Sequence, residues 1–190
     1  MSSTRSAIIS DAERVFDRHG FAASGMDRLT EAANVSSRTL YKHLGSKNGL
    51  IVAVLEARCE RFFATFQVNT IDALFGALGS WIKAEGARGC LFLRAEGEDL
   101  GQNGEVTSAV TAYRIRLHDL IRAVVTTEAG EDDDLLTEQI LILFEGATSA
   151  ASYRGQKAIL AATSAAAVLI AGFRGKGTTS EHHNDQSWSY

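Results

Sequence analysis

Not one of the 190 residues is proline. Proline is the strongest helix breaker, because it lacks an N–H donor and its ring clashes with the preceding turn. A chain of this length without it, whose apolar residues recur at spacings of three and four, has little to interrupt a succession of helices. The expected fold class is therefore all-α. Hydrophobic content of 45% and charged content of 22% are ordinary for a globular chain with a real buried core.

The most informative stretch is residues 24–50, SGMDRLTEAANVSSRTLYKHLGSKNGL. Met26, Leu29, Ala32 and Ala33 make the apolar stripe of one short helix. Asn34 interrupts it, a residue that tolerates the left-handed conformation. Ser36 and Ser37 are good N-caps, since a hydroxyl accepts from the free N–H groups of the next turn. In the helix that follows, Leu40 and Leu44 face inward, and Arg38, Thr39, Lys42 and His43 crowd the outside with Tyr41 beside them. Two short helices joined by a tight turn, the second carrying a polar and basic outer face, form a helix-turn-helix suited to a DNA major groove. A solvated surface would show the same residue types, so the physical pattern leaves both readings open.

Around this stretch the chain reads as helix after helix. Residues 5–19 place Ile8, Ala12, Val15 and Phe16 inward and Asp11, Glu13, Arg14 and Arg18 outward, and Gly20 closes the helix. Ser46 caps a long helix over 47–66, which at ~20 residues spans about 30 Å and joins the first domain to the rest without a flexible linker. Further helices are expected over 70–85, over 90–96, over 105–127, from 135 to about 153, and over 156–173. The last, AILAATSAAAVLIAGF, is apolar nearly all round and must be buried on more than one side. Residues 174–190 are polar and glycine-rich and are read as a disordered tail. Seven Lys/Arg against five Asp/Glu give residues 1–47 a charge of +2, and 12 against 18 give the remainder −6, as suits contact with DNA at one end only.

Gly20-Phe21, Ser24, Leu29, Ala32-Ala33, Val35-Ser36, Thr39-Leu40-Tyr41, His43, Ser46-Lys47 and Leu50 resemble, in order and spacing, the N-terminal domain of TetR-type transcriptional regulators. The chain departs from the usual pattern at Thr30, Asn34, Leu44 and Asn48. The resemblance covers about residues 6–51 and implies a division into a helix-turn-helix DNA-binding domain (1–48), a helical effector-binding and dimerisation domain (49–174) and the tail (175–190). It implies a homodimer, usually a repressor, bound to a near-palindromic double-stranded operator and released by a small-molecule effector. Arg38 and Ser37 would read bases at the start of the second helix. Thr39, Tyr41, His43 and Lys47 would hold phosphates, Ser24 would cap the first helix of the motif, and Ser36 and Lys42 complete the expected DNA-contacting set. An effector pocket is expected among Phe62, Phe66, Trp81, Phe92, Tyr113 and Phe144, with Arg94, Glu96, Arg114, His118 and Gln139 as polar orienters. A dimer interface is expected at Phe144, Thr148, Ala151, Ala158, Ala162, Ala165 and Leu169.

Other functions find less support. No G-x-S-x-G, H-E-x-x-H, phosphate-binding loop or dinucleotide fingerprint is present, so no enzyme and no cofactor are expected. Asp132-Asp133-Asp134 lacks the spacing of a calcium loop and reads as a helix start, since acids complement the N-terminal dipole. His182-His183 with Asp185 suits a stray metal less well than a loose tail. Cys59 and Cys90 are too few for a disulfide framework and read as reduced thiols. No apolar run reaches the ~20 residues of a membrane span, and no leader is evident, so a cytoplasmic protein is expected. The main rival is a dimeric helical protein-interaction module that does not bind specific DNA.

Overall fold

A computed structural model describes residues 3–99 and 102–180, without the side chains of residue 3 and residues 176–180. The described residues contain nine helices and no strand: α1 (Ser3–His19), α2 (Met26–Ala32), α3 (Ser37–Leu44), α4 (Lys47–Thr65), α5 (Ile71–Glu85), α6 (Leu91–Asp99), α7 (Gly104–Ala129), α8 (Asp134–Arg154) and α9 (Gln156–Ser180).

Local chemistry sets most boundaries. Gly20, at φ +83°, ends α1 by donating its N–H to the Phe16 carbonyl. Side chains of Ser36, Ser46, Thr70 and Asp133 cap α3, α4, α5 and α8, each accepting from an N–H three residues on. The Asn103 side chain does the same for α7. α9 continues to Ser180 rather than ending near 173, because glycine lowers helix propensity without supplying a stop unless the backbone turns left-handed. The rest of the expected disordered tail, with His182, His183 and Asp185, lies outside the described residues.

The chain packs as two compact units, and α7 contributes to both. The first unit comprises residues 1–66 and 88–117, so α4 and α6 belong with α1–α3 by packing. Its core holds Ile8, Phe16, Leu29, Leu40, Leu50, Leu55, Phe66 and Leu91. Two acids of α1 also lie inside it. Glu13, expected outside, is buried and accepts from Arg58 Nη1 at 2.8 Å and Arg61 Nη2 at 2.8 Å. Asp17 is buried beside Arg88, whose Nη1 donates to Oδ2 at 2.5 Å. Burial of a carboxylate is sustainable only with such partners.

The second unit comprises residues 67–87 and those from His118 onward. Here α5, α8 and α9 pack through Leu74, Phe75, Leu78, Ile140, Phe144, Ile159, Ala162 and Ala166. Phe75 and Phe144 approach at 6.1 Å between ring centroids. The triple Asp is a capped helix start, with Asp132 paired to Arg122 and Asp133 accepting from the Leu136 N–H. By length and composition alone, residues 156–175 of α9 suffice to cross a bilayer, contrary to the sequence expectation. That expectation ended the helix at 173, and α9 continues beyond it.

Candidate nucleic-acid interface

The turn between α2 and α3 is made by Asn34 at φ 49°, the only non-glycine residue with positive φ among the described residues. An amide side chain makes this left-handed position tolerable, as expected from its place after Ala33. Ser36 then starts α3: its Oγ accepts from the Thr39 N–H at 3.2 Å and meets Thr39 Oγ1 at 2.9 Å. Leu40 (0% exposed) and Leu44 (8%) fasten one side of α3 to the core. The opposite side carries Ser37, Arg38, Tyr41 and Lys42 into solvent, with Thr39 and His43 half-exposed at its edges. Among the described residues, no acid pairs with Arg38 or Lys42. Gly45 reverses the chain, and α4 begins so close to α3 that a Cβ at Gly49 would collide with the Leu44 carbonyl. Two free cations, a phenol and hydroxyls on one side of a rigidly seated two-turn helix can donate to phosphates and base edges at once.

Two of the expected DNA contacts sit elsewhere. Ser24 is fully buried and its Oγ donates to the Gly20 carbonyl at 2.6 Å, so it neither caps α2 nor reaches a phosphate. Gly25 occupies the N-cap of α2, without a side-chain bond. Lys47 is half-buried and turned back, its Nζ donating to the Ala22 carbonyl at 3.5 Å. Burial lowers its pKa, and the nearby Glu98 carboxylate acts the other way.

The six aromatic residues expected to form one pocket are divided between the two units. Phe62 and Phe66 stack at 4.1 Å, Phe92 and Tyr113 stack at 3.7 Å, and Tyr113 meets Phe62 at 5.6 Å, which makes a filled core in the first unit. Trp81 and Phe144 belong to the second unit. Arg114 and Glu96 are spent on each other, in two bonds of 2.7 and 2.8 Å. His118 lies 3.5 Å from a Glu138 oxygen, while Gln139 is half-exposed. A cleft the sequence did not announce runs between α4 and α7, about 790 Å³ in volume, with Val52, Ala53, Cys59, Ala109, Ala112 and Arg116 on its walls. Small residues such as Gly49, Ala53 and Ala109, which carry no periodic signal, line it together with charged ones such as Glu56 and Glu60. Cys59 is buried, and that burial raises its thiol pKa, partly offset by Arg116.

The expected interface residues divide as well. Phe144, Ala151 and Ala162 are buried against their own chain, Thr148, Ala158 and Leu169 are half-buried, and Ala165 is exposed. The apolar side chains left in solvent on α8 and α9 are instead Leu135, Ile142, Tyr153, Leu160 and Val168, each more than 60% exposed. Between these helices a groove of about 380 Å³ is lined by Ile142, Leu143, Gly146, Ala150, Ala158 and Ala161. Among the described residues, no cluster of His, Cys, Asp or Glu is arranged to hold a metal.

Comparison with known proteins gives this geometry its context. Residues 8–54 match the family described as bacterial regulatory proteins, tetR family. The transcriptional regulator UidR of Escherichia coli is 34% identical over 64 residues, which is 34% of this chain and 33% of that protein. The repressor ComR of the same organism is 37% identical over 65 residues, 34% of this chain and 31% of its own. The activator FasR of Mycolicibacterium smegmatis is 40% identical over 52 residues, 27% of this chain and 24% of its own. The matched segment thus spans a third or less of these curated relatives. Whole-chain likeness appears in the fold: a TetR-family regulator from Streptomyces coelicolor superimposes with a TM-score of 0.79 at 24% identity, covering 92% of this chain and 97% of that one. A regulator from Streptomyces avermitilis gives 0.70 at 24% identity, over 87% and 99%.

Proposed function

We propose that this chain, whose residues 8–54 match the tetR family of bacterial regulatory proteins, is a homodimeric DNA-binding transcriptional regulator, a repressor released from a near-palindromic operator by a small-molecule effector. The observation that carries the DNA reading is the outer side of α3, where Arg38, Lys42 and Tyr41 stand exposed on a helix seated by Leu40 and Leu44. One α3 from each subunit enters one of two successive major grooves, whose centres lie about 34–36 Å apart. Arg38, at the N-terminal end of α3, is suited to a guanine edge. Ser37, Thr39, Tyr41, Lys42 and His43 hold the backbone and set the register.

Residues 1–48 serve as the reader and 49–174 as the effector and dimerisation body. The second subunit covers the apolar side of α8 and α9 that carries Ile142, Leu160 and Val168. An exposed apolar surface of this kind on a lone chain is a protein or membrane contact. A partner helix suits it better than lipid, since small residues permit close approach and the relatives are regulators; the protein is accordingly placed in the cytoplasm. The effector binds in the α4–α7 cleft, whose volume lies within the ~300–1,000 Å³ of ordinary ligand sites. It lowers DNA affinity only by its preference for the conformation that does not fit DNA.

The test is retention of genomic fragments from beside the coding region by the purified protein at two salt concentrations, followed by a screen of small molecules for release. Specific retention that falls steeply with salt supports the reading. Equal retention of every fragment, or a monomer by sedimentation, contradicts it.

A further inference from the structure

Two charged residues of the first unit sit at the wrong ends of their helices. Glu98 lies in the last turn of α6, where the C-terminal dipole disfavours a carboxylate. Lys47 opens α4, where the N-terminal dipole disfavours an ammonium. Each is offset by the same small target, the Ala22 residue in the loop between α1 and α2. Glu98 Oε2 accepts from the Ala22 N–H at 2.6 Å, and Lys47 Nζ donates to the Ala22 carbonyl at 3.5 Å. The carboxylate is tucked in so far that a Cβ on Gly20 would lie 2.7 Å from Glu98 Oε1. Glycine at position 20 therefore serves twice, for the left-handed end of α1 and for the approach of Glu98.

The rest of α6 reinforces this hold. Arg94 donates to the Asp17 carbonyl at 3.0 Å and to the Phe16 carbonyl at 3.2 Å, which also accepts the Gly20 N–H, and so grips the last turn of α1. A cavity of about 140 Å³ remains under the loop, lined by Phe21, Ala22, Lys47, Ile51, Ala95 and Glu98 among others, so the Glu98–Lys47 corner has room to rearrange.

We propose that Glu98 is a positioning residue for DNA binding: its carboxylate draws Lys47 back onto the Ala22 loop and withholds that cation from the phosphates beside α3. The inference rests on the DNA-binding reading and adds its regulation. Lys47 chooses between the Ala22 carbonyl, beside the Glu98 carboxylate, and a DNA phosphate. Any event that moves the end of α6 away from Ala22 returns one cation to the DNA-facing side. Affinity then changes uniformly across sequences, because phosphates carry no sequence information.

The test uses the full-length protein and short random-sequence duplex DNA, with dissociation constants measured across a salt series for wild type, Glu98→Gln, Lys47→Gln and the double variant. Glutamine keeps an acceptor for the Ala22 N–H and removes only the charge. Glu98→Gln is expected to bind up to about fivefold more tightly, the size of one exposed charge pair. The slope of log K against log salt steepens by about 0.9, the signature of one added phosphate contact. Lys47→Gln changes little in the wild type and abolishes the gain in the double variant. A gain that survives in the double variant would mean mere loss of a negative charge near DNA and would overturn the proposal, as would no gain or a loss for Glu98→Gln. Failure of the wild type to bind any duplex at low salt removes the DNA reading itself, which is a different result.

Discussion

The two compact units differ in the balance of forces that holds each one together. In the first, long-range polar bonds supplement the apolar core and join elements distant in sequence: Glu13 to Arg58 and Arg61, Asp17 to Arg88, Arg94 to the end of α1, and Glu98 to Ala22. In the second, α5, α8 and α9 pack mainly through side chains such as Phe75, Ile140, Phe144 and Ile159, and the long-range polar bonds gather on Glu128, which accepts from the Ile71 N–H and from Arg174. Apolar packing is strong but tolerates sliding, because dispersion and burial have no preferred direction. Hydrogen-bonded ion pairs have direction, and they fail sharply when one partner goes. Under the proposed function, a unit that presents α3 at a fixed angle would gain from directional bonds, and a unit that joins another copy would gain from an apolar side.

The largest effect that would break this contrast is expected at Glu13. Glu13→Ala leaves Arg58, whose side chain is 7% exposed, without its carboxylate, and the loss should be about 3–5 kcal/mol in a urea titration. Glu13→Asp should recover little, since a carboxylate one methylene shorter cannot reach both arginines.

Phe144→Ala should cost about 3–5 kcal/mol through the cavity it leaves, at a site 1% exposed. Phe144→Leu, by contrast, should recover more than half of that. Equal recovery by the two conservative variants would erase the distinction between the units.

Two smaller predictions sharpen it. Val168→Glu places a charge on the exposed side of α9 and should shift the proposed dimer to monomer in sedimentation while leaving the melting temperature of the monomer unchanged. Thr137 is wholly buried and its hydroxyl has no hydrogen-bond partner among the described residues. Thr137→Val should therefore be neutral or stabilising by up to about 1 kcal/mol, because it removes an unsatisfied polar atom without changing shape. A loss of stability would mean that the hydroxyl has found a partner.

The parts of the fold legible in the sequence are those governed by neighbours a few residues away. Gly20, Asn34, Ser36, Ser46, Thr70 and Asp133 mark helix ends because capping is local, and Leu40 with Leu44 orient α3 because their spacing is local. Glu13 was misplaced because its partners lie 45 and 48 residues away, beyond any periodic pattern, and Asp17, with Arg88 71 residues away, gave no local signal of its burial. Ser24 misled for a related reason: its hydroxyl can bond forward to cap α2 or back to Gly20, and only tertiary burial decides. Aromatic abundance suggested a pocket, yet the rings fill their own core, and the open volume lies where alanine and glycine leave space.

The exposed side of α3 is proposed to read DNA sequence. What decides this is the affinity of wild type and Arg38→Ala for a retained operator fragment and for its half-site variants, at fixed salt. Wild type should separate correct from altered half-sites by about 1–3 kcal/mol per critical base pair. Arg38→Ala should lose that separation at the base pair Arg38 reads and keep it elsewhere. Identical binding profiles for the two proteins across every half-site variant would contradict a base-reading role for α3.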